Sequence, residues 1–394
     1  MTTYTVNGGP GPRLHALVIG VGSYQYGGKA ASWGTPLDSL LRELTDLTCA
    51  PLSAKYVARW LLEADWSTGP VKLGTVEIVL SPRTAVPWQA DDGSAAPEQA
   101  LFHNVTTAGE RWFAQCDAHE DNIALLYFCG HGWGSSRRFL VMEDFGERPG
   151  RWTEHLIDFT ETRQAMLACR ATTQCFFLDA CRVDPSQLAY ADVRAPSLVP
   201  HEVPRDPIGM VPIRNPVFSS ARPGSAARAE EHEITPFADA LVRTLDGLGA
   251  VQRGADWEIT TSRLPEALRD VIQWFGPAYA ADGFHPDFGD RWDSTVLRRL
   301  SQAPLVPFKL SCLPRSALSS ANWMLQCLQS RQTLRRTPES KEWQSDAPAS
   351  SYRLVVTFPD RSHHRVTQHA RVIQPPTFED VVSVTHSPPQ RKGR

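Results

Sequence analysis

No run in this 394-residue sequence approaches the ~18–20 apolar residues that a helix needs to cross a bilayer, so no membrane partner is expected. The N-terminal stretch MTTYTVNGGPGPRLHALVIG has neither the basic start nor the apolar core, ~7–15 residues long, of a secretory signal. A cytoplasmic location is the expectation. The eight cysteines, at 49, 116, 129, 169, 175, 181, 312 and 327, include no C-x-x-C, which argues against a disulfide framework. Cys129 and His131 stand too close together for a zinc pair and no second pair has ligand spacing, so no metal or other cofactor is expected. Internal repeats are absent. Net charge is small as well, at −3, which argues against a general nucleic-acid binder.

That small total hides an uneven distribution. Residues 305–394 carry a local +7, with 13 Lys+Arg against 6 Asp+Glu, and the first 304 carry −10. The length suits two or three domains. The charge split suggests an acidic body, 13–304, and a basic accessory domain, 305–394, of β-rich or α+β character.

Short apolar runs at 14–21 (LHALVIGV), 74–80, 123–129 (IALLYFC), 138–142 and 174–178 (QCFFL) read as strands. Between them, helical spacing marks 53–64, with Ser53 as its N-cap, 104–118 and 162–169. A proline-, glycine- and aspartate-rich loop fills 82–97. Further on, 235–248 and 262–275 read as helices and 257–260 as a strand. Strands alternating with helices predict an α/β fold with a mostly parallel sheet flanked by helices. In the C-terminal region a helix is expected around 319–329, strands at 307–313 and 352–358, and a loop over 331–351. Seven prolines punctuate 185–216, a segment without helical period and longer than the ~12–15 residues of an ordinary loop.

In open α/β sheets, ligand sites lie just past the carboxyl ends of the strands. One strand runs into Gly130-His131-Gly132 and another into Asp179-Ala180-Cys181. Taken singly, His131 could be a turn residue and Cys181 a buried thiol. Together, a base and a thiol on two strand tips can make an activated nucleophile. Cys181 lies 50 residues after His131.

With these pieces, ALVIGVGSY, LLYFCGHG, FFLDACR, VFSSARPGSAARAEE and TPFADALVRTL, the chain resembles caspase-like cysteine peptidases. The likeness is greatest to the bacterial relatives of caspases and metacaspases, and it covers roughly residues 13–300. It implies the caspase-hemoglobinase fold, with 13–184 as large-subunit-like and 217–304 as small-subunit-like parts. It also implies Cys181 as nucleophile, His131 as general base, and the N–H groups of Gly132 and Cys181 as oxyanion hole, without a third triad member. Animal caspases carry glutamine where Asp179 stands, and metacaspases carry aspartate and cleave after Arg or Lys. Asp179 would therefore floor the S1 pocket for a basic side chain, unless it is only a structural cap or salt-bridge partner. Ser219 and Ser220 would line that pocket where animal caspases use arginine for acidic substrates.

The resemblance thus implies an endopeptidase acting on protein substrates after Arg, less often Lys. It implies a zymogen cleaved within 185–216, where Arg194, Arg205 and Arg214 are candidate sites for the enzyme itself or an upstream protease. The setting it implies is bacterial cell death or antiviral defence, including CRISPR-attached cascades. Val183 and Asp184 depart from the glycines that relatives carry after the nucleophile. A rival reading is a catalytically silent scaffold recruiting a partner through 305–394, and another is a thiol transpeptidase. Gly20-Val21-Gly22 is not a dinucleotide loop, since Gln25 occupies the third glycine's place. Arg335-Arg336 and 361–365 form basic clusters without a nucleic-acid motif, and His363-His364 reads as surface.

Overall fold

A computed structural model describes residues 3–5, 11–28, 37–81, 96–134, 137–181, 193–201, 213–221, 232–276 and 294–387. The chain divides into two compact units, Met1–Val242 with Thr260–Arg299, and Arg243–Ile259 with Leu300–Arg394.

In the first unit the strands are β1 (Thr3–Thr5), β2 (Arg13–Val21), β3 (Lys72–Ser81), β4 (Ile123–Gly130), β5 (Gly132–Trp133), β6 (Phe139–Val141), β7 (Leu156–Asp158), β8 (Thr173–Ala180) and β9 (Val217–Ser219). Its helices are α1 (Leu37–Glu43), α2 (Cys49–Glu63), α3 (Phe102–Cys116), α4 (Phe159–Ala165), α5 (Pro236–Arg243) and α6 (Leu264–Phe275). The central sheet runs β1-β3-β2-β4-β8-β9, with every pair parallel except β1 with β3. β5, β6 and β7 make a small antiparallel sheet beside the β4 tip. The expectation of α/β layers with a mostly parallel sheet holds.

The two faces of the sheet follow from period-2 alternation. Leu17, Ile19, Leu126, Phe128, Phe176 and Leu178 share one apolar core with Val105, Ala108 and Trp112 of α3. The alternate positions face α2: a Cβ on Gly20 would lie 2.7 Å from the Ala54 Cβ, and one on Gly22 would lie 2.4 Å from Pro51. The two glycines let α2 approach β2 closely, a packing role that accounts for the Gly-Val-Gly pattern. Ser53 is not a cap. α2 starts four residues earlier, and Ser53 is a fully buried position within it.

In the second unit the hairpin β10 (Ala250–Arg253) and β11 (Asp256–Thr260) pairs antiparallel. It groups with the C-terminal region rather than with the peptidase-like body assigned to it from sequence. β12 (Val296–Leu300) runs to the end of the segment Thr260–Arg299. β13 (Leu305–Leu313), β16 (Trp343–Pro348) and β19 (Phe378–Ser383) form one sheet. A second is built from β14 (Asn322–Cys327), β15 (Thr333–Arg336), β17 (Ser350–Thr357) and β18 (Val366–Ile373).

Three expectations fail in this unit. The helix sought around 319–329 is strand β14, whose Trp323, Leu325 and Cys327 are buried while Asn322, Met324 and Gln326 are half-buried. The polar stretch 331–351 contains β15 and β16 instead of looping out. His363 is buried, with its ring centroid 4.2 Å from that of His386, although the sequence suggested a surface position.

Candidate active site

Parallel pairing of β4 with β8 sets Cys129 opposite Asp179 and Gly130 opposite Ala180. His131 and Cys181 are the residues that follow directly on these two neighbouring strand ends. By the same alternation Tyr127, Cys129, His131, Asp179 and Cys181 all project from the α2 face. Gly132 sits against Cys181, since a Cβ there would lie 2.8 Å from the Cys181 carbonyl oxygen and 3.0 Å from the Ala180 Cβ. The Val141 N–H donates to the His131 carbonyl at 3.1 Å, and Gly132 pairs with Leu140 one step on. Antiparallel alternation makes that next pair the non-hydrogen-bonded kind, so the Gly132 N–H turns away from β6.

The imidazole is held on two sides. His131 Nε2 lies 2.8 Å from the Thr45 carbonyl oxygen, which can only accept, so Nε2 carries the proton and Nδ1 keeps its lone pair. The backbone N–H of His131 donates to the Tyr24 hydroxyl at 2.7 Å, and the two rings stand 4.8 Å apart. Asp46 accepts the Tyr24 N–H at 2.9 Å and fixes that loop. Burial pushes the His131 pKa below its ordinary value, against the Thr45 hydrogen bond and the Asp46 charge, which raise it. The ring is therefore a neutral base at neutral pH.

Burial also sorts the thiols. Cys49 is pushed up to about 11, first by burial and then by the charge of Asp179, and Cys129 is pushed well up by burial. Of the eight cysteines only Cys181 is not buried, so it is the thiol that a ligand and a base can both reach.

Asp179 is 4% exposed. Its Oδ2 accepts from the Tyr127 hydroxyl at 3.0 Å, from the Cys129 thiol at 3.7 Å and, in a very short bond, from the Thr235 hydroxyl. Burial raises its pKa, while these donors and Ser220 oppose that rise. Among the described residues no cation pairs with this carboxylate. Thr235 also accepts the Ala238 N–H at 3.1 Å as it opens α5, and its own N–H donates to Ser53 Oγ at 2.8 Å. Sequence reasoning missed Tyr127, Thr235, Tyr24 and Thr45. Tyr127 had a signal, standing two and four residues before Cys129 and His131 on the same face, whereas the Thr45 carbonyl leaves none.

Only one of the two serines expected beside Asp179 lies on its face of the sheet. Leu178 pairs with Ser219, so Ser219 projects to the opposite face, where its hydroxyl accepts from Arg138 Nη1 at 2.8 Å in a buried bond. Ser220, whose N–H donates to the Leu178 carbonyl at 3.0 Å, comes level with Asp179 on the α2 face.

The proposed linker is partly built into the domain. Arg194 is exposed, but Val193, Leu198 and Val199 beside it are buried, and Asp158 N–H donates to the Pro196 carbonyl at 2.8 Å. Arg214 is bound into the sheet edge, donating to the Thr172 carbonyl at 2.7 Å and accepting from the Gln174 N–H at 2.8 Å. Arg205, Val183, Asp184 and nearly all of the 82–97 loop lie outside the described residues.

Asp144, Glu147 and His155 place metal-ligating atoms within 4.8 Å of one another. Asp144 already accepts the Phe102 N–H at 2.9 Å, and His155 Nδ1 donates to the Asp144 carbonyl at 2.7 Å, which accounts for the group without an ion.

No family model matches the sequence. Over 257 residues the chain is 24% identical to the uncharacterized protein y4kE of Sinorhizobium fredii, covering 64% of this chain and 72% of that protein. Among the described residues no helix is long and apolar enough to cross a membrane.

Proposed function

We propose that this chain is a caspase-like cysteine endopeptidase that hydrolyses peptide bonds after Arg, less often Lys, with Cys181 as nucleophile and His131 as base. The observation that carries the reading is the β4–β8 register. Its last pair, Gly130 with Ala180, directly precedes an imidazole whose proton is fixed on Nε2 and a thiol that is not buried, which supports their working together. His131 Nδ1 accepts the Cys181 proton as sulfur attacks the scissile carbonyl carbon. The carbonyl oxygen becomes an oxyanion facing the N–H groups of Gly132 and Cys181, donors of a kind that contribute ~2.7–4 kcal/mol each. On collapse the C–N bond breaks, His131 protonates the leaving amine, and a Cys181 thioester remains. Water, deprotonated by the same imidazole, then hydrolyses the thioester and restores the thiol.

Asp179 supports a basic P1 residue. The Tyr127, Cys129 and Thr235 donors all meet Oδ2, and in this reading the other carboxylate oxygen receives a guanidinium in a low-dielectric pocket. Ser220 lies beside it and carries no charge that would attract an acidic side chain. In this reading the fold is the caspase-hemoglobinase one, the enzyme acts in the bacterial cytoplasm, and its setting is cell death or antiviral defence. Cleavage within 185–216 would activate it. Arg214 is the least suited of the three candidate sites, because its backbone would first have to leave the sheet.

Fluorogenic peptides ending in Arg, Lys or Asp, offered to wild type, Cys181→Ala and Asp179→Ala, test the reading. Cleavage after Arg that needs both side chains supports it. A preference for Asp would overturn the specificity, and inactivity of linker-cleaved wild type would favour the scaffold.

A further inference from the structure

The β15-β14-β17-β18 sheet of the second unit separates charge in a way that composition does not require. Its four strands contain four arginines and neither aspartate nor glutamate, whereas the β16-β13-β19 sheet carries Asp346, Glu379 and Asp380. Two of the four are neutralised, Arg336 by Glu339 at 2.6 Å and Arg371 by Asp380 at 3.1 Å. Arg335, Arg353 and Arg365 pair with no carboxylate among the described residues, and Arg353 Nε is buried without a hydrogen-bond partner.

Register gathers these three on one face. Arg335 lies across from Met324, which lies across from Val355, which lies across from Thr367. Arg353 faces Gln326 on one side of that row. On the other side Asn322 faces Thr357, with Arg365 beside them around a groove of about 380 Å³. The result is a floor of Met324 and Val355 rimmed by guanidinium groups. Among the described residues β15 forms the edge of the sheet and pairs only with β14, which leaves its outer main-chain groups to another strand.

We infer that this face is a docking site for an extended acidic polypeptide segment. The segment would add to the β15 edge, place carboxylates on Arg335, Arg353 and Arg365, and lay an apolar side chain over Met324. Single-sign charge with no internal counter-ion attracts an anionic partner, and bidentate guanidinium bonds suit carboxylates. A single-stranded nucleic acid fits less well. The sheet's aromatic residues, Trp323 and Tyr352, are 3% and 2% exposed, so although Trp323 borders the groove neither ring is open for a base to stack on. The inference is independent of the peptidase reading.

Fluorescence anisotropy on the full chain tests it, with a labelled peptide of alternating Glu and Val as probe and with a Lys–Val peptide and oligothymidylate for comparison. The Glu–Val peptide should bind best, and Arg335→Glu/Arg365→Glu should weaken it about tenfold or more while gaining the Lys–Val peptide. That exchange of preference also separates a lost site from a lost fold. Arg331→Glu, on the exposed turn away from the groove, should leave binding unchanged. Absent binding of the Glu–Val peptide, equal binding by the double variant, or tighter binding of oligothymidylate would each overturn the inference.

Discussion

The Tyr24 hydroxyl accepts the His131 backbone N–H at 2.7 Å while its own proton points to the Val21 carbonyl at 3.2 Å. A residue from the loop after β2 thereby sets where the β4 tip ends and which way the imidazole faces. Tyr24→Phe would leave the His131 N–H without its acceptor, at a cost of ~1–3 kcal/mol for an unsatisfied buried donor. On fluorogenic Arg peptides the expected outcome is a roughly 10- to 100-fold lower kcat with KM little changed, because the substrate pocket is untouched. An equal loss through KM would show that Tyr24 shapes the pocket instead.

The pH profile should carry the mark of burial at His131. Its depressed pKa means that the acid limb of kcat/KM falls below the ordinary histidine value of 6.5. Asp46 opposes the depression, so Asp46→Asn should move the limb lower still. The same group contributes stability that is fully present above pH 6.5 and is lost as pH falls through the lower folded-state pKa, since the unfolded chain takes up the proton first. Titration of the His131 ring by NMR, in wild type and Asp46→Asn, checks the order.

Asp179 carries the opposite sign. Its raised pKa means that its contribution is favourable below the unfolded value of 3.8 and is lost as pH rises through the folded value. Asp179→Asn should therefore melt higher than wild type at pH 8, with the gap closing towards pH 4. It should also lose about 10²- to 10³-fold in kcat/KM on Arg substrates, the scale of removing one partner of a buried charge pair. Thermal melts and kinetics on one variant read both effects.

Much of this architecture was legible. The apolar runs ending in Gly130-His131-Gly132 and Asp179-Ala180-Cys181 announce buried parallel strands, because a strand covered on both faces has no polar alternation to disguise it. Ser219 and Ser220 show the limit. Neighbours in sequence project to opposite faces, and only the β8–β9 register decides which one meets Asp179. Strand β14 was misread because Trp323, Met324 and Leu325 are consecutive and apolar, although only alternate residues are fully buried. The Thr45 contact was beyond reach, since a backbone carbonyl has no residue identity.

The two serines give a paired test. Ser219→Ala removes a buried partner of Arg138 and should destabilise the fold by ~1–3 kcal/mol without changing the ratio of Arg to Lys cleavage. Ser220→Ala should alter KM for Arg substrates and leave the melting temperature close to wild type. Reversed phenotypes would place Ser219, not Ser220, beside the substrate.

Cys181 is proposed to attack substrates that present a basic residue. Intact-mass spectrometry after incubation with an Arg-peptidyl chloromethyl ketone, followed by peptide mapping, tests it most directly. The thiolate displaces chloride and retains the peptidyl group. The expected result is one adduct per chain, on Cys181, formed faster than with the Asp analogue and abolished in Cys181→Ala. An adduct on any other cysteine, or an equal rate with the Asp analogue, would contradict it.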